Sequence, residues 1–202
     1  AAKEYNLRTE MVVHVTDSDN TIANLIANSA SVDKAVREIT AEAKLYGGVN
    51  LDFEGLGWNC PDDELEITRQ KFSGFVKSLS ASLKAAGLTL TLTLHAPNSA
   101  YKGYDYRVLG EYADRIIIMA YDYGSVPEPD ILVKEAIEAA KAQVPGNKLL
   151  LGISVPNETA DSIIGKIGIT KISGLNGIAL WRLGLVTEEV WSKFNSLVKA
   201  LK

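Results

Sequence analysis

The spacing of apolar residues along the chain switches repeatedly between two templates. Residues 11–16 (Met-Val-Val-His-Val-Thr) form a short β-rich run that ends in a turn cluster, Asp17, Ser18, Asp19 and Asn20. Val32, Ala35, Val36, Ile39 and Ala43 then recur at helical spacing, with Ser31 as the expected N-cap and Gly47-Gly48 as the stop. Residues 49–53 read as the next strand. A long helix is expected from about Asp63, carrying Leu65, Phe72, Phe75, Val76, Leu79 and Leu83 on one face and ending at Gly87. Residues 88–94, alternating Leu and Thr, predict a strand, and 106–112 a short helix. The strand at 116–121 is apolar enough to be covered on both faces. Residues 131–144 predict a helix stopped by Pro145-Gly146. A strand at 149–155, a short helix at 160–167 and a last strand at 177–181 follow. The final helix, 187–201, places Val190, Trp191, Phe194, Leu197, Val198 and Leu201 on its apolar stripe, with Trp191 expected in the core. Glu188 and Glu189 suit the positive end of its dipole.

Six strand-then-helix units imply an α/β fold built on a parallel sheet with right-handed crossovers. Two architectures satisfy that alternation, a doubly wound open sheet and a (β/α)8 barrel. An eight-unit barrel takes about 250 residues, so on the barrel reading a chain of 202 with six units either lacks units or forms an incomplete barrel. No linker, repeat or low-complexity stretch interrupts the pattern, and residues 1–202 read as a single domain. A sheet short of strands is expected to pair with a second copy or to expose an edge.

Composition narrows the function. At 47% hydrophobic and 23% charged the chain has enough apolar material for a sizeable core, which excludes disordered and collagen-like classes. No apolar run approaches the length of a membrane-spanning helix. The net charge of -4, with no basic cluster, argues against a nucleic-acid partner. The lone Cys60 makes no internal disulfide and looks incidental, and Cys-rich zinc motifs are absent. Residues 1–7 lack the basic-then-apolar pattern of a signal peptide. A nucleotide-binding reading needs a Gly-rich loop after the first strand, whereas residues 15–19 (Val-Thr-Asp-Ser-Asp) contain no glycine.

The candidate chemistry lies in residues 47–54, Gly-Gly-Val-Asn-Leu-Asp-Phe-Glu. The period of two puts Asn50, Asp52 and Glu54 on one face and Val49, Leu51 and Phe53 on the helix-covered face. Acidic groups at the carboxyl end of a parallel strand stand where barrel active sites are built. Carboxylates two residues apart on a strand are about 7 Å apart at the backbone. Such proximity is expected to raise one pKa and prepare a general acid beside an ionised neighbour.

This strand resembles the D-x-x-D-x-D-x-E signature of glycoside hydrolase family 18, with Asp52 and Glu54 in its last two places. Gly47 and Asn50 stand where the pattern has its earlier acids. An Asn at that place resembles the bacterial spore-cortex and cell-wall branch, in which N-I-D-F-E-type strings recur. Residues 116–122 (Ile-Ile-Ile-Met-Ala-Tyr-Asp) resemble the family's M-x-Y-D strand end. Residues 177–181 (Gly-Ile-Ala-Leu-Trp) resemble its last barrel strand, whose tryptophan floors a sugar subsite. On this resemblance the six strands are the third to the eighth of the barrel, the first two units being absent.

The resemblance implies substrate-assisted, retaining cleavage of β-1,4 bonds next to N-acetylglucosamine, in peptidoglycan or chitin. Glu54 would be the general acid/base. Asp52 would orient the substrate's acetamido group, whose oxygen attacks the anomeric carbon. Tyr121 would hydrogen-bond that oxygen. Asn50, Met119, Asp122, Asn157 and Trp181 would hold the sugar. No metal or organic cofactor is required, and the implied location is extracellular or associated with cell wall or spore. The alternative is a non-catalytic, lectin-like member of the same fold. Trp58, His95 and Asn98 are weaker candidates for the cleft. His14, a lone histidine in the first strand, is expected to be structural, and Asp17 and Asp19 to be caps.

Overall fold

The computed structural model describes residues 2, 4–58 and 60–200, with no side-chain detail for 197–200. Its strands are β1 (Met11–Thr16), β2 (Gly48–Glu54), β3 (Thr89–His95), β4 (Arg115–Met119), β5 (Leu149–Ser154) and β6 (Gly177–Trp181). Its helices are α1 (Thr21–Ala27), α2 (Ser29–Ala43), α3 (Asp62–Ala85), α4 (Tyr106–Tyr112), α5 (Asp130–Lys141), α6 (Ala160–Ile172) and α7 (Glu188–Ala200). Strand order follows chain order, β1 to β6. A doubly wound sheet reverses its order at a switch point; this one does not, which leaves the barrel-type winding. The chain divides into two compact units, residues 1–116 and 117–202, each described in turn.

In the first unit β1, β2 and β3 are parallel neighbours. Val49, Leu51 and Phe53 are buried on the helix-facing side of β2. The Phe53 ring stacks on Phe75, with centroids 5.7 Å apart, and lies 6.3 Å from Phe72, both from α3. Leu79 and Leu83 continue the buried stripe of α3. Gly48 opens β2 where a Cβ would collide with the Thr89 hydroxyl and carbonyl oxygens of β3.

The helix after β1 differs from expectation. Two helices fill the segment, and Asn28, not Ser31, is the cap: its side chain accepts from the Ser31 amide. Asp17 caps α1, accepting from the amides of Ile22 (2.7 Å) and Ala23 (3.3 Å).

In the second unit β5 and β6 are parallel. β4 ends at Met119, two residues short of the expected end, and Tyr121 and Asp122 lie in the loop beyond it. α6 runs five residues past the expected 167, to Ile172, despite Gly165 and Gly168. A capping box between Thr159 and Ser162 starts it, and burial of Ile163, Lys166 and Ile169 sustains it. Trp191 is 39% exposed rather than core. It packs edge-on against Phe194, with centroids 5.9 Å apart, so the pair shelter each other at the surface. Leu201 lies outside the described residues, as do the side chains of Leu197 and Val198.

Candidate active site

β2 delivers Asn50, Asp52 and Glu54 to one face, as the alternation predicts. Each is then fixed by a neighbouring strand. Asn50 Oδ1 accepts from Thr93 Oγ1 of β3 at 2.8 Å. Parallel register sets His14 of β1 beside Asp52. The His14 Nδ1–H donates to Asp52 Oδ2 at 3.2 Å and lies 3.7 Å from Glu54 Oε1. His14, a lone histidine expected from the sequence to be structural, therefore lies against both carboxylates. The signal was present: His14 alternates with Val13 and Val15, but only pairing β1 with β2 shows what it faces.

Asp52 is 7% exposed, and its Oδ1 is buried with no hydrogen-bond partner. Burial raises its pKa, opposed by the charge and the hydrogen bond of His14. The expected upward shift thus falls on Asp52, but desolvation causes it rather than the neighbouring carboxylate.

The turn after Glu54 is tied on several sides. Asp17 N donates to Glu54 O at 2.9 Å. Gly55 takes φ 86°, and its amide donates to His95 Nε2 at 3.2 Å. His95 accepts through that nitrogen and is neutral, its pKa lowered by burial to about 4. The Tyr104 hydroxyl donates to Phe53 O at 2.7 Å and accepts from Leu56 N at 3.2 Å. Burial pushes the Tyr104 phenol upward. Tyr101 stacks on the His95 ring, with centroids 3.8 Å apart, and the half-exposed Trp58 leans on Tyr101 at 5.0 Å. Trp58 thus presents a supported aromatic surface just beyond the acidic strand. Asn98 is exposed in the turn after β3.

In the second unit, Met119 is buried at the end of β4. Asp122 takes φ 64°, a left-handed conformation. Glu128 holds it there: its carboxylate accepts from the amides of Asp122 (2.7 Å) and Tyr123 (3.0 Å). Asn157 Nδ2 donates to Asp122 Oδ1 at 2.8 Å and to Glu128 Oε1 at 2.9 Å. So Asp122 and Asn157 are brought together. Lys166 anchors the assembly, donating to Glu128 O at 2.9 Å and pairing with Glu158 at 2.9 Å. Glu128, Glu158 and Lys166 were not singled out in the sequence, since a buried Lys–Glu pair leaves no periodic trace. Tyr121 lies against Gly152 of β5, where a Cβ would meet its ring at 3.2 Å and the Ile118 carbonyl at 2.7 Å. Trp181 ends β6 and is 54% exposed.

The family model for glycosyl hydrolases family 18 matches residues 11–157. The chain belongs to glycosyl hydrolase family 18. The matched range contains Asn50, Asp52, Glu54, Met119, Tyr121, Asp122 and Asn157, and Trp181 lies beyond it. The chain is 32% identical over 155 residues to YdhD of Bacillus subtilis, named as a sporulation-specific glycosylase, covering 72% of this chain and 33% of that protein. It is 27% identical over 146 residues to the cortical fragment-lytic enzyme of Bacillus anthracis, covering 65% and 32%. The chain thus spans about a third of the length of these curated relatives. Among solved structures it resembles the chitinase from Chromobacterium violaceum, with TM-score 0.80 and 21% identity over 96% of this chain and 81% of that one. It also resembles the spore cortex-lytic enzyme SleL of Bacillus megaterium, with TM-score 0.81 and 18% identity over 96% and 60%. These likenesses show the barrel-type α/β fold, here with six strands among the described residues.

Proposed function

We propose that this family 18 chain hydrolyses β-1,4 bonds next to N-acetylglucosamine, with peptidoglycan or chitin as the polymer. The observation that carries the reading is Glu54 at the carboxyl end of β2, with Asp52 on the same face and one histidine nitrogen within 3.7 Å of both. Glu54 protonates the glycosidic oxygen, the substrate's acetamido oxygen attacks the anomeric carbon, and Asp52 orients that acetamido group. Glu54 then takes a proton from the attacking water, so configuration is retained.

Tyr121 is proposed to donate to the acetamido oxygen, Asp122 and Asn157 to bind sugar hydroxyls, and Trp181 to stack on a sugar ring. Asn50 and Met119 complete the proposed sugar contacts, with residues 1–202 acting as one domain. The chemistry asks for no metal or organic cofactor. The relatives named for spore cortex and sporulation support a cell-wall or spore location and a peptidoglycan substrate.

The test is digestion of N-acetylglucosamine oligomers and purified peptidoglycan, read by mass spectrometry, with Glu54→Gln alongside. Hydrolysis by the parent chain and none by the variant is expected. Binding without product in both would replace the hydrolase reading with the lectin-like one.

A further inference from the structure

We propose that His14, Asp52 and Glu54 form a binding site for a zinc-type dication, in which the cation competes with substrate for the carboxylates. The three side chains offer one imidazole nitrogen and two carboxylate oxygens, all within 4.8 Å of one another. His14 Nδ1 lies 3.2 Å from Asp52 Oδ2 and 3.7 Å from Glu54 Oε1. Tetrahedral zinc, with bonds of about 2.0–2.2 Å, sets its donor atoms about 3.3–3.6 Å apart. The two histidine separations bracket that span, and a cation in place of the Nδ1 proton would draw the two carboxylate oxygens, which lie within 4.8 Å of each other, to the same spacing.

A second observation is independent of the spacing. The Asp52 side chain is only 10% exposed, and its Oδ1 has no hydrogen-bond partner. A carboxylate taken out of water in this way calls for a countercharge. His14, at 51% side-chain exposure, leaves an approach from solvent and room for water as the fourth ligand. The donors stand on adjacent parallel strands in fixed register, so the arrangement is preorganised. An imidazole with two carboxylates suits zinc and its neighbours, whereas magnesium and calcium take oxygen ligands in higher number.

Occupancy would tie up the Glu54 carboxylate, making zinc an inhibitor; that consequence alone rests on the proposed function. Isothermal titration of the metal-free chain with zinc chloride tests the site directly. One saturable site is expected, weakened in His14→Ala, lost in Asp52→Asn, retained in Cys60→Ser and absent with magnesium chloride. Circular dichroism confirms that each variant is folded. No saturable zinc heat, or heat unchanged in both His14→Ala and Asp52→Asn, overturns the proposal. Hydrolysis with and without zinc is read separately. Zinc binding without hydrolysis sinks the proposed function and leaves the site standing; hydrolysis without zinc binding does the reverse.

Discussion

Replacing Lys166 with Met removes the buried cation of the second unit while keeping most of its volume. The Lys166 side chain is 2% exposed and that of Glu158 1%, so the variant leaves a carboxylate that is out of water and stripped of its counterion. Breaking one side of a buried pair costs about 3–5 kcal/mol. At about 2–4 °C per kcal/mol for a chain of this size, the midpoint of thermal unfolding is expected to fall by about 6–20 °C. Glu158→Leu added to Lys166→Met removes the orphaned charge, because a well-packed apolar pair substitutes for an ion pair at little net cost. The Glu128 carbonyl, which accepts from Lys166 at 2.9 Å, still loses its donor. The double variant should therefore remain about 1–3 kcal/mol below the parent. Urea unfolding of the parent, both single variants and the double variant closes the cycle. A Lys166→Met variant within about 1 kcal/mol of the parent, or a double variant as unstable as Lys166→Met, would refute the reasoning, since either requires Glu158 to be stable without its lysine.

Three further outcomes are expected. His95 has a pKa lowered from 6.5 to about 4 by burial, so between these values the unfolded chain binds a proton that the folded chain refuses. Its contribution to stability is present above pH 6.5 and is lost as the pH falls towards 4; His95→Gln should flatten that limb of the urea midpoint measured against pH. Tyr104→Phe leaves the Phe53 carbonyl and the Leu56 amide without the hydroxyl that bridges them and should cost about 1–3 kcal/mol, with faster hydrogen exchange at Leu56 as the local signature. Gly152→Ala places a methyl against the Ile118 carbonyl and the Tyr121 ring; a loss of about 1–3 kcal/mol is expected in thermal unfolding, with a changed environment for the Tyr121 ring in its NMR signals.

What the sequence disclosed follows from how local each signal is. The face shared by Asn50, Asp52 and Glu54 is a period-two property of one strand, and the structure reproduces it. The α3 stripe from Phe72 to Leu83 is equally local. His14 reads in the sequence as a lone structural histidine because its partners lie 38 and 40 residues away and only parallel register brings them beside it. α1 leaves little trace in the sequence because it is one short helix with only Ile22 and Ile26 buried, and its neighbour α2 starts from the Asn28 cap three residues before Ser31. The apolar run before it makes Tyr121 read as strand, whereas the strand ends at Met119. The left-handed turn at Asp122 depends instead on Glu128, six positions later, receiving two backbone amides. Lys166 stood in an apolar helix with nothing to mark it as buried, since its counterions come from other segments.

Gly48 carries no chemistry, yet it acts as a proofreader for the residues that do. A slip of β2 that brought Val49 opposite Thr89 would drive a branched side chain into the strand that Gly48 lets approach. Any one-residue slip also exchanges the two faces of the strand. It would send Asp52 and Glu54 towards the Phe72 and Phe75 rings and turn Phe53 to the polar side. The error is thus caught twice, by collision at the start of the strand and by charge burial at its end. Fidelity in placing the acids is written into the opposite end of the strand from the acids themselves.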